Sequence, residues 1–161
     1  MRTCFDTSPF IWSLPKKEWK DERAEAMARR TQAYVRDLAE KNAEILLPAP
    51  VVSEFFVKVD NEEEVLRLIE TLFEICPLDG AAACLAGKLE GQLNNPSDAR
   101  QEAGGRNRLR VDAMIAAIAI VRKADFLVTD NKSHFESLCG SYGVNVTEVP
   151  VVNTQSELWA P

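Results

Sequence analysis

The sequence has no Cys-x-x-Cys pair, only one histidine, no positive net charge and no apolar run of membrane length. Each absence removes a class of function. Cys4, Cys76, Cys84 and Cys139 stand apart in apolar contexts, where a reduced, buried thiol is the default; this disfavours a zinc ribbon and favours a reducing, cytoplasmic setting. The lone histidine, His134, lacks a partner at metal-ligand or triad spacing and reads as a helix residue near a cleft rim rather than a catalyst. A net charge of −6 argues against a surface that holds nucleic acid by bulk positive charge, but leaves room for an acidic site that binds it locally. Near the N-terminus the apolar cluster from Phe10 to Leu14 is broken by Lys16 and Lys17, so no signal peptide is expected. The apolar run from Ala113 to Val121 falls far short of the roughly 20 residues of a membrane span, and a soluble protein is expected.

What is present fits one compact domain over residues 1–161, since 161 residues with 46% hydrophobic content suffice for one core. Its organising stretch runs from Arg106 to Asp130. A helix over Ala113 to Val121 has no polar side to show water and should be buried. Asp112 is placed in its first turn and is its only charge before Arg122. The helix dipole contributes only about 0.3–1 kcal/mol there and cannot alone offset dehydrating a carboxylate. A metal ion, a cationic partner or a water-filled cleft should therefore meet Asp112.

Three times the chain reads as strand, then acid, then helix. Arg2 to Phe5 is a short strand ending at Asp6, followed by a helix start with Ser8 at the cap and Pro9 in the first helical position. Asp6 is a turn or capping acid on one reading; on the other it is a ligand, because open α/β sheets bind at the C-terminal ends of their strands. Ile45 to Leu47 is a second strand, after which Val51, Val52, Phe55, Phe56 and Val59 form a helical stripe from which Glu54 falls clear, as a solvated surface glutamate or, by its place after a second strand, as a candidate ligand. Phe126 to Thr129 is a third, ending at Asp130-Asn131, with a helix from Lys132.

Between these, Lys16 to Glu44 predicts a long amphipathic helix or helix pair laced with charge. Asn61 and Glu64 have a capping-box spacing before another helix, Ile75 to Leu78 is a short strand or turn, and Ala81 to Leu93 is a close-packed helix. Asn94 to Gly105 reads as a loop on its Asn-Asn-Pro-Ser and Gly-Gly breakers. It delivers Arg100, Arg106, Arg108 and Arg110 just before Asp112, either as a solvated basic loop or as a counterweight that lets phosphate approach an acidic site. Val144 to Val149 reads as a last strand. Alternation of this kind predicts an α/β fold with a mostly parallel central sheet flanked by helices.

Asp6 in Phe5-Asp-Thr-Ser-Pro-Phe-Ile, Glu54 in Pro50-Val-Val-Ser-Glu, Asp112 in Arg110-Val-Asp-Ala-Met-Ile-Ala-Ala and Asp130 in Leu127-Val-Thr-Asp-Asn-Lys-Ser-His-Phe together resemble the PIN-domain nuclease family. The similarity is closest to the small VapC-type toxins of toxin–antitoxin pairs. It implies a single PIN-like domain that hydrolyses RNA phosphodiesters with Mg²⁺ or Mn²⁺, an RNA substrate, a small antitoxin as partner and a homodimer. It also implies Asp6 and Asp112 as principal metal ligands and Glu54 as a further ligand or water-orienting base. The fourth position falls to Asp130 or to Asn131, because many relatives place it two residues after the threonine. Arg106, Arg108 and Arg110 are the candidate substrate-binding residues, and Thr7, Ser8 and Thr129 are available to hold carboxylates or water by hydrogen bonds.

Two rivals differ in class. A haloacid-dehalogenase-type phosphatase resembles Asp-x-Asp-x-Thr after its first strand, and here Ser8 stands where the second Asp belongs. A PIN-like scaffold that binds protein without cleaving RNA differs in whether the acids converge and whether activity depends on metal.

Overall fold

The computed structural model describes residues 1–15, 19–57, 59, 62–93 and 103–152. Five strands form one sheet: β1 (Arg2–Phe5), β2 (Glu44–Pro48), β3 (Glu74–Cys76), β4 (Phe126–Val128) and β5 (Asn145–Thr147). Their order is β3-β2-β1-β4-β5 and every pairing is parallel, in line with the expected α/β architecture. Among the described residues seven α-helices surround the sheet: α1 (Thr7–Ser13), α2 (Glu22–Glu40), α3 (Ala49–Phe56), α4 (Glu62–Leu72), α5 (Gly80–Leu93), α6 (Ala103–Val121) and α7 (Lys132–Cys139). A short 3-10 turn, Gly140–Tyr142, precedes Gly143, whose φ of 80° is the left-handed conformation that glycine adopts without cost. No helix among the described residues is long and apolar enough to cross a membrane.

Strand order fixes where a ligand belongs. From β1 the chain moves to β2 and β3 on one side, while β4 and β5 fill the other, so the direction of winding reverses between β1 and β4. Loops leaving the C-terminal ends of those two strands diverge and open a crevice. In register, Phe5 lies beside Val128, which sets Asp6 next to Thr129. The helix expected from Ala113 to Val121 is the buried one, with Ala113 and Ile115 to Ala119 fully covered. On the other side of the core Phe5, Phe10 and Phe73 meet edge to face, with ring centroids 5.4 and 5.8 Å apart for the two pairs that share Phe73.

Several local expectations are corrected. The first helix begins at Thr7 and is capped by Asp6, not Ser8, because the Asp6 carboxylate reaches the Thr7 amide. Helix α6 begins at Ala103, so Gly104, Gly105 and the arginines from Arg106 to Arg110 are helical rather than loop, and Asp112 sits in mid-helix, away from any dipole end. Arginine is a good helix former and the glycines fall in the first turn, where they break nothing. Cys84 is exposed on α5, whereas Cys4, Cys76 and Cys139 are buried; all four are free. Lys16 and Lys17, the Asp60-Asn61 start, the segment from Asn94 to Glu102 and the tail beyond Val152 lie outside the described residues.

Candidate active site

The crevice at the switch point is a cavity of about 420 Å³ whose wall includes Asp6, Glu54, Arg108, Asp112 and Asn131. They arrive from four different parts of the chain. Asp6 leaves the end of β1, Glu54 lies on α3, Arg108 and Asp112 lie one helical turn apart on α6, and Asn131 immediately precedes α7.

Asp6 is the most deeply set, at 9% exposure. One of its oxygens accepts from the Thr7 amide at 2.7 Å and the other from the Thr129 hydroxyl at 2.7 Å. Burial pushes its carboxyl above the ordinary range; the Thr129 and Thr7 hydrogen bonds oppose this, and the nearby Asp112 and Glu54 carboxylates add to the rise. Thr129 is itself held, since its hydroxyl accepts from the Asn131 amide at 3.0 Å. Glu54 is exposed on its helix but not free: the Thr7 hydroxyl donates to its Oε2 at 2.6 Å. Thr7 therefore links two acids, through its amide to Asp6 and its hydroxyl to Glu54.

Asp112 is half-buried, and its Oδ2 lies 3.2 Å from Nε2 of the half-buried His134. The sequence places His134 near the cleft rim without a partner at metal-ligand or triad spacing, and this neighbour is not visible in it. Asn107 and Val111 also line the cavity. Their spacing would have revealed them had the helix been extended back past Gly104, because 107, 108, 111 and 112 share one helical face.

Asp130 is exposed and is not part of the cavity wall, while Asn131 is half-buried and is. Of the basic residues, Arg108 borders the cavity. Arg110 turns away to Glu90 on α5, with Nη2 3.2 Å from Oε1. The side chains of Arg106 and Arg100 lie outside the described residues. No α2 residue lines the cavity, in keeping with its charge-laced solvent face.

The fit to a metal rests on donor chemistry. The cavity offers carboxylate and amide oxygens, the ligands of hard divalent ions, and the mutual repulsion felt by Asp6 is what a cation would relieve. Among the described residues no three histidine, cysteine, aspartate or glutamate side chains form a ready ligand cluster.

An open, parallel α/β sheet with an acidic crevice at its switch point defines the class. A family model described as the PIN domain matches residues 3–140, and the chain belongs to that family. Among solved structures, a chain of the VapBC2 complex from Rickettsia felis, bound to a DNA fragment from their promoter, is 18% identical with a TM-score of 0.62. That match covers 93% of this chain and 100% of the other. A chain of DNA-bound VapBC from Salmonella typhimurium is 17% identical with a TM-score of 0.61, covering 93% and 99%. At these identities the likeness is one of fold. No curated protein matches.

Proposed function

We propose that this chain is a Mg²⁺- or Mn²⁺-dependent endoribonuclease, the toxin of a toxin–antitoxin pair, acting in the cytoplasm as a homodimer restrained by a small antitoxin. The observation that carries the reading is the meeting of Asp6, Glu54, Asp112 and Asn131 around one cavity with Arg108 on its wall. Membership of the PIN family and the VapC-like fold support it.

In this reading Asp6 and Asp112 hold the ion, Glu54 orients the attacking water, and Asn131 takes the fourth position in preference to the exposed Asp130. When bound, the metal supplies Lewis acidity toward the phosphoryl oxygen and the attacking water. Thr129 and Thr7 keep the Asp6 carboxylate in one orientation, and Thr7 does the same for Glu54. Arg108 holds a substrate phosphate at the mouth, which localises positive charge on an otherwise acidic chain. Arg106 and Arg110 extend that binding, with Arg110 first released from Glu90.

A second reading, a protein-binding scaffold without activity, draws on the absence of a ready ligand cluster among the described residues. One experiment separates the two. Purified wild-type protein should cleave RNA in Mg²⁺ or Mn²⁺ and stop when a chelator is added, and Asp112→Asn should be inactive in both conditions. Cleavage that is absent, or equal in Asp112→Asn, overturns the nuclease reading.

A further inference from the structure

The His134 ring presents a problem that the nuclease reading does not use. Its Nε2 is buried and, among the described residues, has no hydrogen-bond partner, although a buried ring nitrogen normally has one. The acceptor within reach is Oδ2 of Asp112 at 3.2 Å, close enough in distance but not aligned for a hydrogen bond. The ring is set on α7, which packs against α6, and its backbone is pinned by the Ser137 hydroxyl donating to the His134 carbonyl at 2.6 Å. A small rotation of either side chain would therefore align the pair without moving a helix.

We propose that His134 is a positioning residue for Asp112: its Nε2–H donates to Oδ2, fixes the carboxylate plane and leaves Oδ1 turned to the cavity for a divalent cation. This rests on the nuclease reading, because it gives Asp112 a ligand's task. The logic is that of ligands held by an outer hydrogen bond, whose loss usually weakens metal affinity by roughly 10–100-fold. The rest of the cavity supplies such holders for the other acids, Thr129 and Thr7 for Asp6 and Thr7 for Glu54. His134 completes the set for Asp112, which no hydroxyl or amide holds among the described residues.

The chain has only one histidine, so its ring is the sole imidazole in a nitrogen-15 spectrum of the whole protein. Metal-free wild type should show a proton on Nε2, with the resonance shifted in Asp112→Asn. A bare Nε2, or an unshifted signal, overturns the proposal. Calorimetric titration with MnCl₂ then compares wild type, Asp112→Asn, His134→Ala and His134→Gln, the glutamine placing an N–H near the position of Nε2. His134→Ala should bind Mn²⁺ at least about tenfold more weakly, and His134→Gln should stay close to wild type. If His134→Ala binds as wild type does while Asp112→Asn fails, this inference falls and the nuclease reading stands. If His134→Gln is as weak as His134→Ala, the ring acts as something other than a donor. Should wild type itself bind no Mn²⁺, both fall. If the alanine variant does not fold, the glutamine variant and the spectrum decide alone.

Discussion

Where strands β1 and β2 begin, the protein sets arginine against an acid; where β1 and β4 end, Asp6 and Glu54 meet no such cation among the described residues. At the beginning, Arg2 donates from its amide to Asp125 at 2.7 Å and from its guanidinium to Glu44 at 2.7 Å, and also to the Arg122 carbonyl at 3.2 Å. Arg122 in turn meets Asp79 at 2.9 Å. At the other end Asp6 and Glu54 are held by hydroxyls and an amide, and among the described residues neither meets a lysine or arginine. Neutral donors orient a carboxylate without cancelling its charge. In the proposed function, the end whose acids are oriented by neutral donors receives a cation from outside, while the end where Arg2 pairs with Glu44 holds strands in register.

The largest effect should come from removing that difference. Asp6→Asn or Asp112→Asn deletes charge at near-constant volume and should lower RNA cleavage in Mg²⁺ by roughly a hundredfold or more, in line with the several kcal/mol that a catalytic metal supplies. Circular dichroism should be unchanged. Wild-type cleavage rates in either purified variant would make the two ends of the sheet equivalent and the mechanism wrong.

A thermodynamic counterpart is next in size. Metal at about 100 times its dissociation constant should stabilise wild type by about 2.7 kcal/mol, seen as a rise in Tm, with little rise in Asp6→Asn. In chelator the sign reverses. The Asp6 carboxyl is raised in the folded state, so that state binds more protons than the unfolded chain in the interval between the ordinary carboxylate pKa and the raised one. Stability should therefore fall as pH rises through that interval, with the penalty fully present above it. Asp6→Asn should lack this fall and, without metal, melt higher than wild type near neutral pH. A wild type whose metal-free stability rises with pH, relative to Asp6→Asn across that interval, would contradict the unneutralised cluster.

A smaller contrast separates two arginines two residues apart on α6, which places them on opposite helical faces. Arg108 faces the cavity and Arg110 is tied to Glu90. Arg108→Ala should weaken RNA binding and reduce the magnitude of its salt slope by about one, with Arg110→Ala changing it less. Equal slopes for both variants and wild type would assign this face of α6 to structure.

The fold was legible because alternation of short apolar strands with helices is a local signal, and the acid after a strand is meaningful once the sheet is parallel. The buried helix was legible too, since no residue from Ala113 to Val121 can face water comfortably. Its start was not. Gly104-Gly105 looks like a breaker in sequence, yet in a first helical turn it interrupts no established ladder, and the misplaced boundary hid Asn107 and Val111 and put Asp112 at a dipole end it does not occupy. Asp130 and Asn131 differ by one residue, a difference that only the turn after β4 resolves, by sending Asp130 to solvent and Asn131 to the cavity. The His134 contact joins α7 to α6, and nothing in the spacing of two helices separated by a strand announces which side chains will touch.

The smallest expected effect tests the paired end of the sheet. Arg2 and Glu44 are each about half exposed, so their ion pair gains little in water and should contribute only about 0.2–1 kcal/mol. Glu44→Ala should lower stability by no more than that, and the loss should shrink with added salt, because exposed pairs are screened. Its strand does not depend on the side chain, since the Glu44 amide still donates to the Met1 carbonyl at 3.0 Å. Cleavage and the metal-induced rise in Tm should both be unchanged, as Glu44 lies at the opposite end of β2 from the helix that carries Glu54. If Glu44→Ala instead altered the metal response, the two ends would be coupled through the sheet, and the division between a charge-paired register end and a charge-open cleft end would have to be given up.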